Sequence, residues 1–185
     1  MTRTSTGDPP DWPNVPACHG WLSLDARGHW RLKGERVEHR GLLAFLNANY
    51  ASDGAGNWLV HNGPQRVFVE LEAAPWILRM LPDEILQTHS GRLATPAAPV
   101  LVDESGHVSL QTDLGPAAID DRDLALFLAE LKTEQGDPVS DATLLALFEG
   151  RFTAPVLWRS LPLTFTPSSQ TPGRLGYQRK PVATA

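Results

Sequence analysis

Cysteine is almost absent from this 185-residue chain. Cys18 stands alone, so no internal disulfide can form. A basic excess is missing too. Sixteen Lys and Arg face 21 Asp and Glu, giving a net charge of −5 and a pI of about 5.6. That excludes nonspecific DNA or RNA binding, which requires cations to neutralise phosphates. No apolar run reaches the roughly 20 residues that cross a bilayer. The opening stretch MTRTSTGDPPDWPNVPACHG holds no apolar signal-peptide core. A soluble cytoplasmic protein is the expectation, without nucleic-acid or membrane partners. There is also no G-x-G-x-x-G, no P-loop, no H-E-x-x-H and no Cys/His pairing for zinc. No cofactor and no catalytic residues are therefore assigned.

What the chain does have is core material: 42% hydrophobic residues and six Trp. Residues 1–17 and 166–185 are rich in Pro, Ser, Thr or Gly. They are expected to be disordered, because they bury too little to offset ordering entropy. Between them, Trp21–Leu24 and His29–Leu32 read as two strands about a Gly-containing turn. A helix follows from His39 to about Tyr50, with Leu42, Phe45, Leu46 and Asn49 on one stripe. The stretch Gly56–Trp76 reads as a hairpin, and 82–98 as a polar connection.

The second set of elements is APVLVDESGHVSL as two strands, then a helix over Asp121–Leu131 with Asp120 as its cap. A further helix starts at Ser140, and Val156–Leu163 reads as a Pro-interrupted edge segment. The blocks Gly28-His29-Trp30-Arg31-Leu32 and Gly106-His107-Val108-Ser109-Leu110 echo each other. So do Val37-x-x-Arg40-x-Leu42-x-x-Phe45-Leu46 and Ile119-x-x-Arg122-x-Leu124-x-x-Phe127-Leu128. The expected fold is α+β: two similar small halves, 18–81 and 99–165, each an antiparallel sheet with a packed helix.

The order Gly-x-Trp, Val37-x-x-Arg40-x-x-x-x-Phe45, Asp53-x-x-Gly56-x-Trp58-Leu59-Val60 and Glu72-Ala73-Ala74-Pro75-Trp76 resembles the bacterial domain of unknown function 1285. Leu110-Gln111-Thr112-Asp113-Leu114-Gly115 is similar to that family's Thr-Asn-x-Gly segment. The resemblance spans roughly residues 20–128. It implies a duplicated α+β core, a pleckstrin-homology-like second half and a small-molecule site, of the nucleotide class, between the halves. The chain departs from the family at the hairpin tip, at Asp113 and after Leu128.

The hairpin tip raises its own question. A type I′ turn on Asn62-Gly63 needs residue 64 to donate its N–H, and Pro64 has none. A wider loop from His61 to Gln65 is expected. The ligand-binding candidates are His61, Asn62, Gln65 and Arg66 on one side and Thr112 and Asp113 on the other. The leading reading is a non-enzymatic ligand-binding or regulatory module. Two alternatives stand beside it: a metal-dependent hydrolase using Glu70, Glu72 and His61, and an adaptor using the strand edge around Val156–Leu163.

Overall fold

A computed structural model describes residues 15–151 and 154–181. The chain divides into two compact units. Unit 1 holds the described residues up to Asp25, then His29–Glu72 and the segment from Gln178; unit 2 holds Ala26–Gly28 and Ala73–Tyr177.

Unit 1 is a six-stranded sheet with one helix. Its elements are β1 (Ala17–Leu24), β2 (Trp30–Leu32), β3 (Glu35–Arg36), α1 (Arg40–Asn49), β4 (Tyr50–Ser52), β5 (Trp58–Asn62) and β6 (Gln65–Leu71). The lateral order is β3-β2-β1-β6-β5-β4. β1 and β6 run parallel and every other pair antiparallel. Helix α1 starts where the His39 ring accepts the Leu42 N–H at 3.2 Å. Leu46, from the expected stripe, is wholly buried. Tyr50 and Trp30 meet edge to face with centroids 5.0 Å apart, and the Trp30 indole donates to Asn47.

Unit 2 contains β7 (Trp76–Met80), β8 (Leu86–Thr88), β9 (Leu93–Ala94), β10 (Pro96–Val102), β11 (Val108–Thr112) and β12 (Gly115–Ile119). A 3₁₀ turn (Asp121–Asp123), α2 (Leu124–Ala129), β13 (Leu131–Thr133), α3 (Asp141–Phe148), β14 (Val156–Trp158), β15 (Leu161–Phe165) and α4 (Thr171–Leu175) follow. Its sheet is ordered β13-β14-β15-β10-β11-β12-β7-β8-β9. β10 and β15 are parallel, as are β12 and β7. Trp76, Leu110, Phe127, Leu147 and Trp158 lie in its core.

One turn recurs. In Asp25–His29, the Asp25 carboxylate accepts the His29 N–H at 2.9 Å and meets the His29 ring at 3.2 Å. In Asp103–His107 the same two contacts measure 2.9 and 3.1 Å. Gly28 and Gly106 take φ of 77° and 80°, a left-handed conformation that glycine adopts without a Cβ clash.

Several sequence expectations need correction. The sheets are mixed rather than purely antiparallel, since each contains a parallel pair. The C-terminal stretch is not a disordered tail over its described part. α4 forms there, Leu175 and Tyr177 are buried, and the Leu71 N–H donates to the Arg179 carbonyl. The rest of both expected tails, residues 1–14 and 182–185, lies outside the described residues. Residues 82–98 are not a connection but supply β8, β9 and the start of β10. The helix expected over Asp121–Leu131 is shorter, and Leu131 belongs to β13.

The β5–β6 hairpin also differs from expectation. Asn62 pairs with Gln65, so the loop is two residues, Gly63-Pro64, shifted by one from Asn62-Gly63. Gly63 takes φ 58° at the first central position, as a type II′ turn requires. Pro64 then occupies the second central position, where its missing N–H is not called on to close the turn. Finally, β15 is not an edge. It pairs with β10 on one side and β14 on the other, which removes the exposed edge the adaptor reading needed.

Candidate functional site

Unit 2 carries a cavity of about 560 Å³ lined by Glu84, Glu130, Lys132, Glu134, Leu157 and Arg159 among others. Its floor is the outward face of β13–β14. Lys132 pairs with Leu157 across the ladder, which brings their Cβ atoms to about 5 Å. Leu131, one residue earlier, faces the core instead.

The rim is built from two strained turns. Arg159 and Ser160, the two-residue β14–β15 loop, take φ of 48° and 68°; Asp83 and Glu84, between β7 and β8, both take 60°. Holding an L-residue left-handed costs about 1–2 kcal/mol, and strain of this kind is retained where surrounding contacts over-determine it. Arg159 supplies those contacts. Its guanidinium makes two hydrogen bonds to the Glu130 carboxylate, at 2.7 and 3.0 Å, and a third to the Glu84 carbonyl. It also stacks over the Trp158 ring at 4.6 Å, whose indole N–H donates to Glu130. One side chain thus pins both turns.

Near the 3₁₀ turn, Asp120 and Asp123 are buried and paired with Arg122 and Arg79. The Arg122 guanidinium is held by both oxygens of the Asp120 carboxylate. For Asp120, burial disfavours the charged form, but the Arg122 side chain and backbone N–H outweigh it and bring the carboxyl down to about 2. Asp123 is likewise lowered: burial opposes this, and Arg79 and the Met80 N–H prevail. The Asp120 cap is as expected, accepting the Arg122 N–H at 3.0 Å.

The residues picked out from sequence fall in both units. His61, Asn62, Gln65 and Arg66 flank the Gly63-Pro64 loop of unit 1. There the Asn62 amide donates to Gln65 at 3.3 Å, the Gln65 amide donates to the Val15 carbonyl at 2.6 Å, and Arg66 lies over Phe68. Thr112 and Asp113 lie at the β11–β12 turn of unit 2. The Thr112 hydroxyl donates to the Gly115 carbonyl at 2.7 Å, and Asp113 accepts the Thr95 N–H at 2.7 Å. Of these contacts, Asn62–Gln65 and Thr112–Gly115 span their own turns, while Gln65 and Asp113 also reach residues distant in sequence. Glu70 and Glu72 border a smaller cavity of about 150 Å³ in unit 1, beside Asp25, Arg31 and Lys180. Among the described residues no three His, Cys, Asp or Glu side chains converge to hold a metal, so the metal-dependent reading has no ligand set there. Cys18 is buried, and burial pushes its thiol up.

Sequence reasoning missed Glu84, Arg159 and Ser160. The available signal was Arg159-Ser160 between two apolar runs, a two-residue hairpin loop without glycine.

A family model described as "Protein of unknown function (DUF2946)" matches residues 10–182. The chain belongs to the DUF2946 family. Among solved structures, a DUF1285 family protein from Silicibacter pomeroyi DSS-3 is similar at 12% identity and a TM-score of 0.54, covering 90% of this chain and 92% of that one. A DUF1285 family protein from Shewanella baltica OS155 is 14% identical with a TM-score of 0.43, over 58% of this chain and 90% of that one. The resemblance read from the sequence is thus met at the level of the fold. No curated protein matches the sequence. Among the described residues of this DUF2946 protein, no helix is long and apolar enough to cross a membrane.

Proposed function

We propose that this DUF2946 chain is a non-enzymatic binding module whose ligand occupies the unit 2 cavity. The carrying observation is that cavity's rim: two left-handed, non-glycine turns joined by the single guanidinium of Arg159. Its volume of about 560 Å³ falls within the range of small-molecule pockets. A cytoplasmic bacterial setting belongs to the same reading.

A duplicated plan supports it further. In unit 1 the order β3-β2-β1-β6-β5-β4 follows a strand–strand–strand–helix–strand–strand–strand sequence. The strands β12-β11-β10-β15-β14-β13 of unit 2 follow the same order, with α2 in the place of α1 and α3 added. Leu22, Ser23 and Leu24 pair with Leu32, Arg31 and Trp30, as Val100, Leu101 and Val102 pair with Leu110, Ser109 and Val108. On this plan the tip His61–Arg66 of unit 1 corresponds to Arg159-Ser160, and it is a second candidate for ligand contact.

The test is a thermal-shift screen of the full chain, repeated in Leu157→Trp, which fills the cavity floor from a half-buried outward position. A metabolite that raises the Tm of the parent and loses its effect in Leu157→Trp is the expected result. Stabilisation that survives Leu157→Trp would place the ligand elsewhere and remove this reading.

A further inference from the structure

We infer that the unit 2 cavity takes a small zwitterion of dipeptide size, bearing one ammonium and one carboxylate, rather than a nucleotide. The inference rests on the proposed role of that cavity. Five ionisable side chains line it: Glu84, Glu130, Glu134, Lys132 and Arg159. Arg159 and Glu130 satisfy each other through two hydrogen bonds, which leaves Glu84, Glu134 and Lys132. Among the described residues none of these three joins an ion pair.

This residue set disfavours a phosphate ester. A phosphate carries about −1.5 to −2 charge at neutral pH, and here one lysine would face it beside two uncompensated carboxylates. A zwitterion gives each end an opposite charge instead. Lys132 and Glu134 are two residues apart at the end of β13, roughly 7 Å along an extended chain. An extended two-residue peptide spans roughly the same distance between its termini. Leu157, opposite Lys132 on the floor, and Ala129 offer apolar surface between the charged ends.

The experiment is calorimetric titration of the full chain with glycyl-leucine, N-acetyl-glycyl-leucine, spermidine and AMP. Parallel runs use Lys132→Gln, Glu134→Gln and Leu157→Trp. Lys132 is exposed and Glu134 lies beyond the strand end, so neither substitution removes a core contact. Glycyl-leucine binding is expected to weaken about tenfold in each charge variant, the loss of one charged hydrogen bond. It should vanish in Leu157→Trp, and the acetylated peptide should bind at least about tenfold more weakly than the free one. If AMP or spermidine binds in a manner lost in Leu157→Trp while glycyl-leucine does not bind, the ligand class is wrong and the cavity reading stands. Dipeptide binding that persists in Leu157→Trp overturns both, and failure of all four probes to bind overturns the dipeptide assignment alone.

Discussion

The turns Asp25–His29 and Asp103–His107 share their hydrogen bonds and their glycine conformation, yet their surroundings differ. A Cβ on Gly28 would lie 2.4 Å from the His89 Cβ; on Gly106 it would find only Phe148 ring carbons at 3.6 and 3.8 Å. Asp25 also holds Arg31, at 3.2 and 3.3 Å, whereas Ser109 is the residue that pairs in the equivalent register of β11. The loops closing the last hairpin of each unit diverge more. Unit 1 uses Gly63-Pro64, with a glycine at the left-handed position, and unit 2 uses Arg159-Ser160 with none. Where the local geometry is fixed by backbone closure, the residues agree. Where a loop meets open space, the same strand order admits different side chains, and there a cavity with charged walls has formed.

The largest effect expected is on the helix caps. Asp120→Ala removes a buried carboxylate that caps the turn and holds the half-exposed Arg122. It should cost about 2–5 kcal/mol, a lost cap together with a lost charged hydrogen bond. Its counterpart His39→Ala should cost about 0.5–2 kcal/mol, as for an ordinary cap. Urea denaturation of both variants measures this, and equal losses would erase the contrast.

Next come the paired glycines. Gly28→Ala combines left-handed strain with a 2.4 Å clash, for a total of about 2–5 kcal/mol. Gly106→Ala carries the conformational cost alone, about 1–2 kcal/mol. Similar melting temperatures for the two would show that His89 yields freely.

Acid titration sharpens the comparison in a different way. Asp120 and Asp123 have folded pKa values below their unfolded value of 3.8. Their contribution is therefore complete above about pH 4 and is lost as pH falls toward about 2, where Asp120 protonates. Asp120→Asn should flatten the acid limb of stability over that window, as followed by circular dichroism. An unchanged acid limb would assign it to other carboxylates. The smallest effect is Ser160→Gly. It should raise stability by about 1 kcal/mol by relieving left-handed strain, and a neutral or destabilising outcome would show that the rim turn is not strained.

Much of the fold was legible where local chemistry decides it. Asp120 and Ser140 cap helices as their residue types imply, and the Gly28 and Gly106 turns follow from the Asp-x-x-Gly-His pattern. What escaped depends on distant partners. Pro162 suggested an edge, but its pair with Leu157 stands next to the closing pair Trp158–Leu161, so its missing N–H points away from β14. Pairing to β10 begins only at Leu163, leaving no ladder bond for Pro162 to break. The Gly63-Pro64 frame shift needed knowledge that Asn62 pairs with Gln65. The stretch from Thr166 looked like a tail because its composition is polar, while its order comes from Tyr177 donating to the Ala73 carbonyl and from Gln178 meeting Gly56. The cavity was hidden for the same reason, since Glu84 and Arg159 are 75 positions apart.

The segment from Gln178 completes unit 1 by reaching Gly56 and Leu71 through backbone hydrogen bonds. Apart from the short Ala26–Gly28 piece, unit 2 is one continuous stretch, 73–177, enclosed within the sequence of unit 1. A chain ending at Tyr177 should therefore keep the stretch 73–177 whole while the Gly56 carbonyl and the Leu71 N–H lose these two partners.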